Sequence, residues 1–255
     1  MLLAIDIGNT NVAIGAFEGD QLKATWRLAT DPRRLSDQYG LELHGLLPLK
    51  GVTISEIEGC ALCSVVPTLT PAFEEVCRSL FGVEPLVVGT GTKTGVRVLY
   101  DNPRDVGADR IVDAAAAFQL YGGPTIIVDF GTATVFDAVS GQGEYLGGAI
   151  APGILIAAES LVQNTSQLRR VELVRPKRVV GTNTIASLQA GLFYGYVSLV
   201  EGMVARFKED LGSDARVVAT GGQASLIAQD TEVFDYVNPD LTLLGLRQIY
   251  DLNQG

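Results

Sequence analysis

The feature of this sequence that most constrains its fold is an internal repeat. Residues 125–140, TIIVDFGTATVFDAVS, align without a gap on residues 2–17, LLAIDIGNTNVAIGAF, so that Asp129 falls on Asp6. Each copy has an apolar segment, then an Asp, a Gly and small hydroxyl or amide residues, then a second apolar segment. This pattern predicts a β-hairpin whose turn presents backbone N–H groups and one carboxylate. Two such turns indicate a duplicated domain with a cleft between the copies, a setting suited to the phosphates of a nucleotide.

The repeat also divides the chain. The 255 residues are enough for two modest hydrophobic cores, and Gly122-Gly123-Pro124 precedes the second copy as a predicted link. We therefore expect two domains, residues 1–120 and residues 121–255. In both halves a third apolar segment follows the hairpin, which predicts a meander of three antiparallel strands. Such a meander at the start of a domain is typical of the ribonuclease-H-like α/β fold.

Charge and composition exclude several classes of function. The net charge is −10, and no basic face suited to nucleic acid is evident. The first apolar residues are interrupted by Asp6 and have no basic leader, so we expect no signal peptide. The longest apolar run, residues 147–158, is shorter than the roughly 20 residues that a spanning helix needs. We expect a cytoplasmic protein that binds neither nucleic acid nor membrane.

The three cysteines do not indicate a redox or metal site. Cys60 and Cys63 form a CxxC motif within the apolar segment CALCSVV, whereas redox CxxC motifs begin helices. A zinc site needs about four ligands, and only Cys77 and His44 remain as further Cys or His residues. We interpret Cys60 and Cys63 as packed strand residues, which fits a reducing compartment. Ser64, at the end of the strand, is the better candidate for lining a site.

Most of the polar chemistry of the first half lies in residues 100–110, YDNPRDVGADR. Asp105 and Asp109 would share one face of a continuous helix, but Gly107 between them favours an irregular turn. Asp109 followed by Arg110 has two interpretations: an ion pair at a helix start, or a proton acceptor beside an anion-binding side chain. Asp105 is the simpler helix cap and is held in reserve as the base.

The second half carries two further features. Residues 181–184, GTNT, are predicted to cap a long helix that ends near Leu211. Gly191 and Gly195 give this helix a face on which another backbone can approach closely, either across a two-fold axis or within the chain. Residues 220–223, TGGQ, follow an apolar segment, and such a turn at the edge of a sheet can lie against a flat ligand group.

Two turns that each hold a carboxylate near a polyphosphate require a cation. At ~4 Å and an effective dielectric constant of ~20, two unit charges repel by about 4 kcal/mol, so we expect metal at this site. Lysines are scarce near the turns, and the remaining stabilisation would come from N–H groups and hydroxyls at residues 8–11 and 131–134. These features favour phosphoryl transfer by positioning and electrostatics.

Five segments, spread over nearly the whole chain, resemble type III pantothenate kinases, a family of the acetate and sugar kinase, Hsp70 and actin superfamily. Leu168-Arg169 departs from the family's usual Leu-Pro, in a predicted loop. The matching segments are DIGNTN (6–11), YDNPRDVGADR (100–110), VDFGTAT (128–134), LGGAIAPG (146–153) and GTNT (181–184).

The resemblance implies two duplicated ribonuclease-H-like, actin-like ATPase domains with a nucleotide cleft between them. It implies ATP-dependent phosphorylation of pantothenate to 4′-phosphopantothenate, the first step of coenzyme A synthesis, by a homodimer. Two alternatives stay open: a non-catalytic nucleotide-binding regulator on the same fold, and a kinase of another small hydroxylated acid or sugar.

The resemblance also implies roles for individual residues. Asp109 would be the general base, Asp6 would act directly or indirectly on magnesium, and Asp129 would hold a monovalent cation, potassium or ammonium. The implied ATP-binding residues are Asp6, Ile7, Gly8, Asn9, Thr10, Asn11, Val12, Ala13, Thr132, Gly221 and Gly222. The implied pantothenate-binding residues are Tyr100, Gly107, Ala108, Asp109, Arg110 and, from the partner subunit of the dimer, Thr184.

Overall fold

A computed structural model of the chain describes residues 1–254. The chain forms two compact units: unit 1 comprises residues 1–97, 101–116 and the chain from Leu241 on, and unit 2 comprises residues 98–100 and 117–240. The units differ from a simple division at residue 120, because the last helix of the chain belongs to unit 1.

Unit 1 is built on a five-stranded sheet with the order β3-β2-β1-β4-β5. The first three strands are antiparallel, and β4 and β5 run parallel to β1. Apolar residues at every position of Leu2–Ile5 allow β1 to be covered on both faces, as a central strand must be. The strands are Leu2–Ile7 (β1), Asn11–Glu18 (β2), Gln21–Ala29 (β3), Gly59–Ser64 (β4) and Leu86–Val87 (β5).

Helices cover both faces of this sheet. Leu3 and Ile5 pack in one apolar core with residues of α1 and α2, such as Tyr39 and Phe73. Ala4 points to the other face, since side chains alternate along a strand, and packs with α3 and α7. The four helices that pack on this sheet are Ser36–Leu46 (α1), Thr70–Val76 (α2), Ala108–Tyr121 (α3) and Leu241–Asn253 (α7, the last helix of the chain).

The last helix joins unit 1 because of its apolar spacing. Leu243, Leu246 and Ile249 recur every three residues, lie on one side of α7, and are buried in the core that contains Ala4 and Val112. A Cβ atom built on Gly245 would lie 2.5 Å from the carbonyl oxygen of Val112, so glycine is required for this close helix contact.

Unit 2 repeats the architecture of unit 1. Its six-stranded sheet has the order β11-β10-β7-β8-β9-β6, in which β9-β8-β7-β10-β11 repeats the order of unit 1. The predicted duplicated ribonuclease-H-like α/β fold is therefore confirmed. The remaining elements are Arg97–Val98 (β6), Thr125–Phe130 (β7), Ala133–Val139 (β8), Glu144–Pro152 (β9), Ile154–Gln163 (α4), Thr184–Leu211 (α5), Arg216–Thr220 (β10), Ala224–Ile227 (α6) and Tyr236–Val237 (β11).

The two hairpins differ by one residue in register. Asp6 is opposite Ala13 in the first hairpin, whereas Asp129 is opposite Val135 in the second. A gap-free repeat would place Phe136 opposite Asp129. The second turn is thus one residue shorter, and the two faces of β8 are exchanged relative to β2.

The long helix α5 begins as predicted and leaves one face open. The side chain of Asn183 caps it by accepting a hydrogen bond from the N–H of Ala186 at 2.9 Å. Phe193 and Val200 are buried in the core of unit 2. A Cβ atom built on Gly191 or Gly195 would have no atom of another group within 4 Å, so these glycines do not serve helix packing within the described chain.

None of the helices formed by residues 1–254 combines the length and the apolar character needed to cross a membrane.

Candidate functional site

The first turn of unit 1 is a tight loop between β1 and β2. The N–H of Gly8 donates to the carbonyl of Asn11 at 3.1 Å, which closes the turn. Thr30, just after β3, ties the loop down: its hydroxyl donates to the carbonyl of Gly8 at 2.7 Å and its N–H donates to the carbonyl of Thr10 at 3.1 Å. Asn9, Thr10 and Asn11 are exposed, so a ligand can reach this turn from the solvent.

Asp6 lies at the end of β1, next to this turn, and is partly buried. Burial, and then the charge of Asp109, raise the pKa of the Asp6 carboxyl to about 7 from its ordinary 3.8, and a hydrogen bond from Cys63 opposes the shift. The thiol of Cys63 donates to Oδ1 of Asp6 at 3.3 Å. Ionised Asp6 is therefore an electrostatic cost to the fold near neutral pH.

Asp109 lies in the first turn of α3 and is also partly buried. Burial raises the pKa of its carboxyl, while the N–H and the charge of Arg110 act in the opposite direction. That N–H donates to Oδ1 at 2.8 Å. A Cβ atom built on Gly107 would lie 2.5 Å from the same oxygen, so the absence of a side chain at residue 107 leaves room for the carboxylate.

Asp105 has a different environment from Asp109. It ends a short 3-10 turn, Pro103–Asp105, and is exposed. Its Oδ1 accepts a hydrogen bond from the side-chain amide of Asn102 at 2.8 Å. The 3-10 turn ends before α3 begins at Ala108, so Asp105 and Asp109 do not lie on one continuous helix.

In unit 2 the second turn is enclosed by glycines. The N–H of Gly131 donates to the carbonyl of Ala133 at 3.0 Å. A Cβ atom built on Gly153 would lie 2.6 Å from the carbonyl oxygen of Gly131. Gly221 has a φ of +87°, and its built Cβ would collide with Oδ1 of Asp129, so only glycine fits there. The predicted cation ligand, Asp129, and the turn predicted to bind a flat ligand group, residues 220–223, are therefore neighbours in unit 2.

The other predicted substrate residues of unit 2 are Tyr100 and Thr184. The ring of Tyr100 lies over Gly147, whose built Cβ would be 3.4 Å from Cε2 of the tyrosine. The ring centroids of Tyr100 and Tyr145 are 6.3 Å apart. Thr184 is the first residue of α5 and is exposed, which leaves its side chain accessible.

The structure groups the predicted residues in two sets. In unit 1, the charge of Asp109 raises the pKa of Asp6, and Asp6 adjoins the first turn in sequence. In unit 2, Asp129 neighbours Gly221. Ile7 and Val12 are fully buried in the core, so their side chains are not available to a ligand.

Sequence reasoning missed three contributors. Cys63 was interpreted as a packed strand residue, which its burial in β4 confirms, but its contact with Asp6 was not foreseen. Thr30 anchors the first turn from outside the motif, and Gly153 encloses the second. Of these three roles, only that of Gly153 had a signal in the sequence, because Gly153 lies in the segment LGGAIAPG.

The environment of Asp6 suits a hard cation. Magnesium is bound in proteins through one or two carboxylates, with waters and substrate phosphates completing its shell, and a positive charge beside Asp6 would relieve the cost of ionising it. Among residues 1–254 no group of three or more His, Cys, Asp or Glu side chains forms a complete metal cage. The donor set therefore fits an ion shared with a phosphate ligand.

Comparisons with known proteins give one consistent family. The family model described as type III pantothenate kinase matches residues 2–206. A type III pantothenate kinase of Moorella thermoacetica is 53% identical over 253 residues, covering 99% of this chain and 100% of that protein. One of Roseiflexus castenholzii is 52% identical over 254 residues, covering 100% of both.

Solved structures show a likeness in fold alone. A Campylobacter jejuni protein described as a Baf family transcriptional activator has a TM-score of 0.62 at 19% identity, covering 99% of this chain and 98% of that one. Component A of the Acidaminococcus fermentans (R)-2-hydroxyglutaryl-CoA dehydratase has a TM-score of 0.57 at 13% identity, covering 98% and 96%.

Replacing Asp6 by Asn is expected to stabilise the protein. Because the folded-state pKa of about 7 exceeds the ordinary 3.8, the folded protein holds the Asp6 proton more tightly than the unfolded chain does. Wild-type stability should then fall as the pH rises from about 4 to 7 and stay reduced above it. Asp6→Asn avoids this loss, which amounts to up to about 4 kcal/mol above pH 7. Urea unfolding of both proteins from pH 4 to 8, in EDTA and without nucleotide, measures this difference in the free energy of unfolding.

The matched control for this experiment is Asp101→Asn, an exposed carboxylate in the same unit. Its effect on the free energy of unfolding should be small, because the side chain is exposed. A stability difference between wild type and Asp6→Asn that stays constant from pH 4 to 8 would contradict the prediction.

Proposed function

The chain belongs to the type III pantothenate kinase family, and from that premise we propose that it transfers the γ-phosphoryl group of ATP to the primary hydroxyl of pantothenate. The product is 4′-phosphopantothenate, and the step opens coenzyme A synthesis. The observation that carries the proposal is the presence of Asp109, whose charge acts on Asp6, and of an exposed turn that directly follows Asp6. The full-length identity to pantothenate kinases supports the choice of substrate.

We assign the phosphates of ATP to residues 6–13. The exposed Asn9, Thr10 and Asn11 provide amide and hydroxyl donors, and the closed turn holds the backbone in place before ligand binding. A preorganised set of donors stabilises charge that develops in phosphoryl transfer without reorganising. Ile7, Val12 and Ala13 contribute through their backbone positions at the ends of β1 and β2.

Asp109 is assigned as the general base. Its raised pKa brings the carboxylate closer to the working pH, where a base is most effective. In the reaction the hydroxyl oxygen of pantothenate forms a bond to the γ-phosphorus, the bond from phosphorus to the leaving ADP oxygen breaks, and the hydroxyl proton passes to Asp109. Asp105 is exposed and held by Asn102, which makes it the weaker candidate for this role.

The cations implied by the family have separate carboxylates. We assign magnesium, which would neutralise the phosphate charge, to the environment of Asp6. A monovalent cation, potassium or ammonium, is assigned to Asp129, where Gly221 brings the backbone close to the carboxylate. Thr132, exposed in the second turn, and Gly221 with Gly222 are assigned to the remainder of ATP.

Recognition of pantothenate is assigned to two groups of residues. The backbone of Gly107 and Ala108 and the guanidinium of Arg110 lie beside the base, and a guanidinium suits the carboxylate of pantothenate. Tyr100, which is partly buried, and Thr184, which is exposed, contribute from unit 2. Thr184 is assigned to the active site of the partner subunit.

A homodimer is supported by the surface of unit 2. Large apolar side chains exposed on a single chain often mark a protein interface, and the open face of α5 at Gly191 and Gly195 permits close approach of a second helix. The exposed apolar residues of unit 2 include Leu146, Ile150, Leu155, Ile156, Val179, Val180 and Ile185.

We also propose a cytoplasmic location. Cys60, Cys63 and Cys77 are buried free thiols, which is typical of proteins from a reducing compartment.

A coupled assay of ADP release tests the proposed function. With ATP, magnesium and potassium present, we expect turnover that depends on pantothenate and a product heavier by one phosphoryl group by mass spectrometry. Other small hydroxylated acids and sugars, added as competitors, should neither be phosphorylated nor inhibit at similar concentrations. Lack of pantothenate-dependent turnover would contradict the proposal. Faster phosphorylation of one of the competitors would identify that compound as the substrate in place of pantothenate.

Asp109→Asn should lose several orders of magnitude in kcat and still bind both substrates. The amide keeps the size of the side chain but cannot accept the hydroxyl proton. The matched variant Asp105→Asn should lose little. Steady-state kinetics and calorimetric binding of ATP and pantothenate distinguish the two, and the opposite pattern would move the base to Asp105.

Gly195→Glu should convert the dimer to a monomer. Glutamate favours the helix more than glycine does, so the change should leave the fold of the chain intact while placing a charge in the interface. Sedimentation should show the mass of one chain, and the KM for pantothenate should rise because Thr184 is withdrawn from the partner. Ser225→Glu, at an exposed position of α6, is the control, and an unchanged dimer in Gly195→Glu would rule out this interface.

A further inference from the structure

Cys63 is set apart from the other two cysteines by its partner. Cys60 and Cys77 lie in the apolar core of unit 1 with Leu3 and Phe73. Cys63 is also fully buried, but its sulfur lies 3.3 Å from Oδ1 of Asp6, with the thiol as donor. None of the roles assigned above uses this thiol.

The contact follows from strand register. β1 and β4 are parallel, and Asp6 is opposite Cys63 while Leu3 is opposite Cys60. Opposed residues of neighbouring strands point to the same face, and residues three apart on one strand point to opposite faces. Residue 63 therefore faces the carboxylate, whereas Cys60 and the adjacent Ser64 face away from it.

In these surroundings the Cys63 thiol acts toward Asp6 as a hydrogen-bond donor. Burial disfavours a charged thiolate, and Cys63 is fully buried with its sulfur against Oδ1 of Asp6, so the thiol acts as a donor. With no exposed surface, it cannot exchange this partner for bulk water. Hydrogen bonds to charged acceptors are stronger than neutral ones, although a thiol is a weak donor.

The choice of cysteine over serine also has a physical reason. The sulfur packs in the core that contains Ala4, Val112 and Leu246. Cysteine behaves there as a small apolar side chain, while its S–H still reaches the carboxylate. Serine would keep the donor but fill less of the apolar space.

We propose that Cys63 is a positioning residue for phosphoryl transfer: its S–H fixes the orientation of the Asp6 carboxylate and leaves Oδ2 to act at the cation and phosphates. The proposal rests on the proposed role of Asp6 in the reaction. Cys63 touches neither substrate and acts through Asp6.

Two substitutions at residue 63 isolate the donor. Cys63→Ala removes it, and Cys63→Ser restores a hydroxyl. We expect kcat to fall about tenfold in Cys63→Ala, in line with the loss of a hydrogen bond to a charged group, with the KM for pantothenate unchanged. Cys63→Ser should recover kcat to within about threefold of wild type, even though both variants lower the unfolding temperature.

A control and a double variant separate positioning from packing. Cys60→Ala, on the opposite face of β4, should lower the unfolding temperature and leave kcat unchanged. In an Asp6→Asn background, Cys63→Ala should not weaken the calorimetric binding of magnesium-ATP any further, because its effect passes through the carboxylate. If Cys63→Ala does not fold, Cys63→Val and Cys63→Thr, which differ by a methyl for a hydroxyl, give the same comparison.

The outcomes distinguish the positioning role of Cys63 from the proposed role of Asp6 and from the proposed function on which it rests. We expect Asp6→Asn to lose most of its kcat. With that loss observed, wild-type kcat in Cys63→Ala, or equal loss in the Ala and Ser variants, overturns the positioning role alone. Wild-type kcat in Asp6→Asn overturns the role of Asp6 and this proposal with it. Absence of pantothenate turnover in the wild-type protein overturns the proposed function itself.

Discussion

The cost of ionising Asp6 is the constraint on which the rest of the candidate site depends. Burial and the neighbouring charge of Asp109 both oppose the carboxylate, and the resulting pKa is about 7. A fold selected for stability alone would place a neutral side chain at the end of β1. Functional sites commonly retain such a cost where a ligand offsets it. Here the offset would come from positive charge that accompanies a polyphosphate, which explains why two carboxylates are kept together.

The carboxylate of the second hairpin, Asp129 in unit 2, has different surroundings from Asp6. The shorter second turn exchanges the faces of β8, so Asp129 is opposite Val135 rather than opposite the residue that matches Ala13. Its carboxylate lies against the backbone at Gly221, whereas the carboxylate of Asp6 accepts a hydrogen bond from the thiol of Cys63. The residue opposite Asp129 on the neighbouring parallel strand is Thr220, in the place that Cys63 takes opposite Asp6. We base the proposed assignment of magnesium to Asp6 and of a monovalent cation to Asp129 on these different surroundings. The two copies keep one strand order and differ in what lies beside the carboxylate.

Patterns local in sequence predicted much of this structure. The hairpins follow from apolar segments on either side of a turn, α5 from its Asn183 cap, and the break before α3 from Gly107. What could not be predicted depends on residues distant in sequence. The register of β8 is decided by which face packs on the core, the last helix joins unit 1 through Leu246, and Cys63 meets Asp6 only because β1 and β4 are adjacent. Single-sequence periodicity carries no information on such pairings.

The charge of Asp109 adds to burial in raising the pKa of Asp6. Burial also raises the pKa of Asp109, while the N–H and the charge of Arg110 oppose that shift. Positive charge brought to Asp6 by a polyphosphate and its cation would therefore favour the ionised form of Asp6. For Asp109 in its proposed role as base, the same positive charge would favour the carboxylate that accepts the proton. The proposed site would thus link the presence of the phosphate donor to the readiness of the base through electrostatics alone.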